Sequence, residues 1–353
     1  MTSDSIKNDL ALALTTDDTK LVTSLSIIVI GAGVLGLWQA LTLARLGHRV
    51  RLVEASAEPF ADAASLYGGV MLAPDREAKS YPPIFRRLGR EGMTLWRAAY
   101  PDLSCAGGLV VASARDRSDL ERFARDTQGH ETLDATKLAH LEPELAGRFA
   151  SALYFADEAH MAAPAAMKFL LDEARSAGSD VSFGVSVPPE DADAIIDCRG
   201  LAARDALGNL RGVRGERLIV RSREVTLRRP IQLLHPRHSL YVVPWGDGRY
   251  MIGATVIETE DVGPVTVRSA LDLLGGAYAL HSGFAEAEIL EIGAGVRPAF
   301  PDNMPRVIVR DGGRHIFVNG AYRNGYLLAP VLAKAVAEYL DSGARANALV
   351  EVG

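Results

Sequence analysis

The chain has 353 residues, 48% hydrophobic and 23% charged, the balance of a soluble globular protein with two domains or one elaborated α/β unit. A net charge of -6 leaves no basic footprint for nucleic acid. Cys105 and Cys198 form neither a CxxC pair nor a disulfide framework, which fits a reducing cytoplasm.

Residues 1–21 are polar and acidic and read as a flexible tail, without the basic and apolar regions of a signal peptide. The uncharged stretch from Leu21 to Ala44 is long enough to suggest a membrane span, but glycines, serines and threonines break it into strand, turn and helix. "SIIVI" has the β-branched content of a buried parallel strand. A helix through Trp38, Leu41 and Leu43 ends near Gly47, and "RVRLVE" closes a βαβ unit at Glu54. Residues 82–150 read as charged helices and loops. A helix follows over Ala162 to Ala177, then two short strands in "DVSFGVSV" and "ADAIIDCRG". From Gly215 to Glu258 the period becomes that of strands, with a hairpin at Gly246-Asp247-Gly248. A helix over Val265 to Leu280, the strands "RVIVR" and "HIFVNG" and a final apolar helix complete the chain.

Between the first strand and helix, Gly31, Gly33 and Gly36 form G-x-G-x-x-G, with Glu54 at the end of the second strand. The first glycine permits a tight turn and the second a close approach of backbone to a pyrophosphate. The third lets helix and strand pack closely, and the helix N-terminus offers N–H groups to phosphate. A carboxylate at Glu54 can accept ribose hydroxyls and disfavours a 2′-phosphate. The motif alone does not separate FAD from NAD.

Three segments together carry a resemblance: "VIGAGVLG…VRLVE", "ASLYGGVMLAP" (Ala64 to Pro74) and "YRNGYLLAP" (Tyr322 to Pro330). On them the chain resembles the FAD-dependent amino-acid oxidases of the D-amino-acid oxidase type, in particular the glycine oxidase branch. The resemblance runs from about Ser26 to Leu340. It implies an α/β, α+β overall, architecture: a discontinuous Rossmann-type FAD-binding domain with an inserted antiparallel-sheet substrate domain. The expected boundaries are 22–106, 155–212 and 293–343 for the FAD domain and 107–154 and 213–292 for the substrate domain, with a tail over 344–353.

The resemblance also implies positions. Val34, Leu35, Glu54 and Ala55 would lie along the adenosine diphosphate half of FAD. Ala64, Ser65, Gly69, Val70 and Met71 would lie near the ribityl chain and flavin. Val187 would meet adenine, and Gly320, Ala321, Tyr322, Arg323, Asn324, Gly325, Tyr326 and Leu327 would close over the flavin pyrimidine edge. Asn324-Gly325 would aim a positive helix end at the flavin. Only "PPEDAD" separates Val187 from "AIIDCRG", shorter than the family's usual excursion. No cysteine stands in the closing loop, so noncovalent FAD is expected.

Oxidation of an amino acid requires its Cα–H presented to the flavin and its carboxylate fixed in a water-poor pocket, a task that suits a guanidinium. Arg297 in "GAGVRPAF", Tyr241 in "LYVVP" and Arg323 match the family's substrate-site positions. Arginine supplies 32 of the 38 basic residues, six being lysine, so a surface salt bridge is the plain alternative for Arg297. A packed sheet tyrosine is the alternative for Tyr241, and a solvated loop arginine for Arg323. His235 and His238 lack metal-ligand spacing.

The expected activity is oxidation of glycine, sarcosine or a small D-amino acid by dioxygen, giving hydrogen peroxide, with an implied role in thiamine thiazole synthesis. A quinone-linked D-amino-acid dehydrogenase and a noncatalytic flavin-binding subunit are the alternatives. Neither a nucleic-acid nor a membrane partner is expected, and a homo-oligomer is compatible with the sequence.

Overall fold

The computed structural model describes residues 24–186, 191–236, 239–343 and 349–353. The expected N-terminal tail and Val187 lie outside them, as does His238.

The chain opens with β1 (Ser26–Ile30), α1 (Val34–Arg45) and β2 (Arg49–Glu54). Gly47, just past the helix, has φ +89°, the left-handed stop that glycine adopts freely. After β3 (Met71–Leu72) come a single turn, α2 (Pro74–Glu77), and the longer α3 (Ile84–Ala99). Then follow β4 (Gly108–Ala112), α4 (Arg117–Asp126), β5 (Glu131–Asp134), α5 (Ala135–Leu141), β6 (Ser151–Phe155) and β7 (Ala159–His160). The chain continues through α6 (Ala163–Ser176), β8 (Asp180–Phe183), β9 (Ala194–Asp197), β10 (Arg211–Arg221) and β11 (Ile231–Leu234). Next are the hairpin β12 (Leu240–Pro244) and β13 (Arg249–Gly253), α7 (Val267–Leu280) and β14 (Glu288–Ala299). The last elements are β15 (Arg306–Arg310), β16 (His315–Asn319), α8 (Gly325–Ser342) and β17 (Val350–Val352).

Two large sheets organise these elements. The first runs β17-β15-β16-β9-β1-β2-β8, with β1 parallel to both β2 and β9. The second runs β14-β10-β13-β12-β11-β4-β6-β5 and is mostly antiparallel, with β11 and β4 the parallel exception. A two-stranded ribbon, β3 with β7, stands apart from both. The order β17 to β8 draws strands from widely separated parts of the chain, while the second sheet takes those between. β14 stays in the second sheet as far as Ala299, across the expected boundary at residue 293, and so carries Arg297.

Two sequence expectations need correction. Residues 82–150 also contain β4 and β5. β4 reads "GLVVA" and is buried at every position between β11 and β6, so it shows none of the alternation that marks a half-exposed strand. Within the expected C-terminal tail, β17 pairs in parallel with β15, and the burial of Leu349 and Val350 seals that edge of the core.

The final helix shows how local chemistry resolves a sequence conflict. Pro330 lies well inside α8, beyond the first turn where its missing N–H would cost nothing. The carbonyl it leaves without a helical donor is that of Tyr326, and the Trp96 indole N–H donates to it at 2.6 Å. Close approach of α3 makes this contact possible, because a Cβ on Gly92 would lie 1.9 Å from the Leu327 carbonyl oxygen. Leu328, Val331, Leu332, Ala335 and Val336 face the core, while Lys334 pairs outward with Glu91. Trp96→Phe keeps a ring but orphans that carbonyl, and should destabilise the fold by about 1–3 kcal/mol. A lower urea midpoint with unchanged slope would register the loss.

Candidate active site

The β1–α1 turn is closed by contacts that only glycine admits. Gly31 has φ +98°, and a Cβ there would lie 2.7 Å from the Cys198 carbonyl oxygen. A Cβ on Gly36 would lie 1.8 Å from the Gly31 carbonyl oxygen, so helix and strand could not close to this distance. Gly33 is the N-cap of α1 and offers no side chain of its own to the helix's first N–H groups. The positive end of α1 is therefore open to an anion. The Val34 N–H donates to Ser65 Oγ at 3.1 Å, tying the segment Ala64–Tyr67 to the turn. Glu54 accepts from the Ala32 N–H at 2.7 Å and the Ser56 N–H at 3.1 Å. Each of its oxygens keeps a lone pair for a ribose hydroxyl.

A groove runs from this turn between the two sheets. Val34, Leu35, Ala64, Ser65, Gly69, Val70 and Met71 line one part, and Ala321 to Leu327 line another. Two of its residues, Val70 at φ +45° and Tyr322 at φ +47°, hold left-handed backbone conformations that side-chain-bearing residues rarely adopt. Such strain persists where the surroundings dictate it, commonly at ligand sites. Asn324 begins α8 without a side-chain cap, and its buried amide lies at the Tyr81 hydroxyl. A glycine turn, an uncapped helix end and strained backbone in one groove fit a dinucleotide-linked ring system.

Not every expected residue lines that groove. Glu54 and Ala55 lie at the end of β2, outside it, and Gly320 packs against Phe300, where a Cβ would meet the ring at 2.1 Å.

Beside the groove lies a second cavity of about 510 Å³. The two share Glu77, Tyr241, Ala254, Arg297 and Arg323, so the three expected substrate residues stand where they meet. Arg323 donates to the Tyr241 hydroxyl at 2.8 Å, and that hydroxyl donates to Glu77 Oε1 at 3.3 Å. Arg323 also lies 3.5 Å from Glu77, and chiefly this carboxylate raises its pKa. Burial, and after it Glu77, raises the pKa of Tyr241, so the phenol is neutral.

Arg297 differs from these. It extends from β14 across Gly215, whose added Cβ would lie 1.8 Å from the guanidinium. Among the described residues its hydrogen bonds are long ones, 3.3–3.4 Å, to the carbonyls of Arg214 and Thr255. No carboxylate pairs with it among the described residues. Desolvation, helped by the neighbouring Arg323, pushes its pKa down to about 10, which leaves it charged at neutral pH. The side chain is partly exposed, and both cavities reach it. A cation so placed, with its charge unmet by protein, is a receptor for an anion. Gly215→Ala should displace it while sparing the fold, because the colliding atoms are the far end of a flexible side chain. The expected result is an apparent affinity for glycine at least tenfold weaker, with an unchanged melting temperature.

Sequence reasoning missed Glu77 and the cavity-lining Arg76, Lys79 and Gln232. The charged run "DREAKS" after the small-residue loop was the one available signal. It also missed Arg217, which lies between the rings of Tyr67 and Trp245 and donates to the Leu66 carbonyl, supporting the loop on the groove.

The description "FAD dependent oxidoreductase" belongs to the family model that matches residues 26–339. The chain is 48% identical over 316 residues to a protein of Rhizobium etli provisionally named thiamine biosynthesis oxidoreductase ThiO, covering 89% of this chain and 96% of that one. It is 26% identical over 351 residues to a glycine oxidase of Pseudomonas aeruginosa, with 89% and 94% covered. The crystal structure of glycine oxidase from Geobacillus kaustophilus superposes with a TM-score of 0.78 over 92% of this chain and 96% of that one. At 24% identity, that likeness establishes the fold. The family match begins at β1 and ends within the last turns of α8, taking in the second sheet, all of the first but β17, and the groove between them. On that extent the chain belongs to the FAD-dependent oxidoreductase family.

Proposed function

We propose that this protein is an amino-acid oxidase of the glycine oxidase kind, acting on a small primary or secondary amine such as glycine or sarcosine. The observation that carries the reading is Arg297, a guanidinium without a counter-ion among the described residues where the cofactor groove opens into a separate cavity. Its planar fork would take the substrate carboxylate by two points. Tyr241 and Arg323, which line the same two cavities, would close on the same carboxylate, and Glu77 would hold Arg323 in place. Thus anchored, the amino acid turns its Cα toward the groove, and positioning rather than a dedicated base sets the rate.

The chemistry that bound FAD would supply here is two-electron acceptance of a hydride, with dioxygen as the final acceptor and hydrogen peroxide as the product. Gly31, Gly33, the open end of α1 and Glu54 would hold its adenosine diphosphate half, and Ala64 to Met71 with Ala321 to Leu327 the ring. No cysteine or histidine lines the groove among the described residues, which supports noncovalent binding. The substrate loses a hydride from carbon and a proton from nitrogen to become an imine. From glycine, water then releases ammonia and glyoxylate. The name of the Rhizobium etli relative supports a further reading, that the imine serves thiamine thiazole synthesis.

No helix among the described residues is long and apolar enough to cross a membrane. Steady-state assays with glycine, sarcosine and D-alanine test the choice of electron acceptor. One peroxide should form per amine consumed in air. Turnover that needs a quinone and yields no peroxide would make the enzyme a dehydrogenase.

A further inference from the structure

Among the described residues ten large apolar side chains are exposed, and all but Val352 lie between residues 256 and 292. Scattered singly they would need no explanation, but these gather on one face of the second sheet.

The helix α7 forms the middle of that face. Its inner seam, Leu273, Ala277 and Leu280, packs on the sheet with Leu218 and Val220 of β10. A second seam, Val267, Leu271, Leu274 and Tyr278, runs along the other side at spacings of four, three and four. Val267, Leu271 and Tyr278 are 77%, 63% and 57% exposed, and Leu274 is half-buried. A surface helix turns charge outward on that side, whereas a helix apolar on both sides is one covered on both.

The edge strand β14 extends the face. Ile292 stands opposite Leu218 and Ile289 opposite Val220, so both leave the sheet on the side that α7 covers. The register of β14 shifts between them, which blunts its free edge for pairing with another strand. What the face offers is therefore side chains rather than a ladder to continue. Val256, Ile257 and Val262 lie in the segment leading to the N-terminal end of α7. Arg214 of β10 holds that segment, donating to the Asp261 and Pro264 carbonyls. At their fractional exposures the nine residues offer roughly 900 Å² of surface, above the roughly 300–600 Å² of the largest patch on a typical monomer.

We infer that this face docks a second copy of the chain about a two-fold axis, α7 against α7. The area matches the roughly 800 Å² that each partner contributes to a standard interface. Reversed end for end, the outer seam is its own complement: Val267 meets Tyr278 of the second copy, and Leu271 meets Leu274 of the second copy. Arg268, exposed beside the seam, then lies by the C-terminal end of the other α7, where the helix dipole and the following Glu286 favour a cation. Glu258, Glu260, Glu288 and Glu291 are paired with arginines of their own copy, so two such faces meet without repulsion from them. A lipid surface is the poorer fit. Faces that bind membranes surround their apolar residues with Lys and Arg, but residues 256–292 hold seven acidic residues and a single arginine, Arg268.

Sedimentation equilibrium of the FAD-loaded protein tests the inference. The wild type should form a dimer, or an assembly built from dimers, with a dissociation constant of about micromolar or tighter. Leu271→Glu and Tyr278→Glu should each weaken that association by about a hundredfold or more, because a carboxylate would be buried against apolar surface. Circular dichroism and FAD content should stay as in the wild type, which separates lost docking from lost folding. If Leu271→Glu fails to fold, Tyr278→Glu alone decides. Val352→Glu, at the exposed apolar residue off the face, should leave the association unchanged. A wild-type protein that stays monomeric well above micromolar concentration, or an assembly unmoved by the folded variants, would overturn the proposal. So would a monomer that binds phosphatidylcholine–phosphatidylglycerol vesicles and loses them with Leu271→Glu, since a membrane would then be the occupant.

Discussion

Arg297→Met should weaken binding of glycine by about 2–5 kcal/mol, read from the concentration dependence of flavin reduction. The same substitution should leave the protein as stable as before or more so. Both expectations follow from one geometry. The guanidinium is desolvated and touches only distant carbonyls, so the fold bears the cost of its burial without an ion pair in return. Methionine would cover the same surface with no charge to desolvate. Affinity loss with a retained or raised melting temperature separates a binding residue from a structural one, and reflects the stability that functional sites commonly forgo. Unchanged affinity for glycine would remove Arg297 from the site.

Gly33→Ala and Gly36→Ala should fail in different ways, although both lie in one six-residue motif. A Cβ on Gly36 would lie 1.8 Å from a backbone oxygen that cannot move aside, so the βαβ unit itself must open. The cost should be about 3 kcal/mol or more, with FAD lost as a consequence. A Cβ on Gly33 would meet only Ser65 Oγ, at 3.4 Å, an ordinary contact. The apoprotein should therefore keep its melting temperature. Its affinity for FAD should still fall by about 1–3 kcal/mol, because the added methyl stands where a pyrophosphate would approach. Apoprotein melting curves and FAD titrations distinguish the cases. Full FAD affinity in Gly33→Ala would place the pyrophosphate elsewhere.

Local chemistry made the cofactor half of the site legible. The glycine motif lies between one strand and one helix, and Gly31 and Gly36 answer to contacts within that unit or with the chain just past the adjacent strand. Tyr241, Arg297 and Arg323 came from family resemblance, and the cavities bring all three together. What stayed hidden depends on distant meetings. Glu77 acquires meaning only beside Arg323, 246 residues away, and Gly215 only because Arg297 crosses it from the neighbouring strand. Lys79 sits in a charged run of no evident pattern, and its place on the cavity wall becomes visible only in three dimensions. β4 escaped notice for a related reason: a strand buried on both faces has no alternation to read.

The role of Trp96 was equally out of reach. Pro330 advertises a helix problem in the sequence, but the donor that solves it comes from α3, 230 residues before the Tyr326 carbonyl that it meets. Charge shows the same limit, since arginine is abundant throughout this chain. Arg199, fixed by Asp197 and Asp205, is an ordinary structural arginine, while Arg297 has no such partner. Only the pairing separates them.

Anaerobic mixing of the FAD-loaded protein with glycine or sarcosine tests the central claim most directly. The flavin absorbance should bleach in a single turnover, at a rate that saturates with substrate, and admitting air should restore the colour with one equivalent of hydrogen peroxide. A flavin that stays oxidised with every small amino acid, mono- or dicarboxylic, would contradict the account.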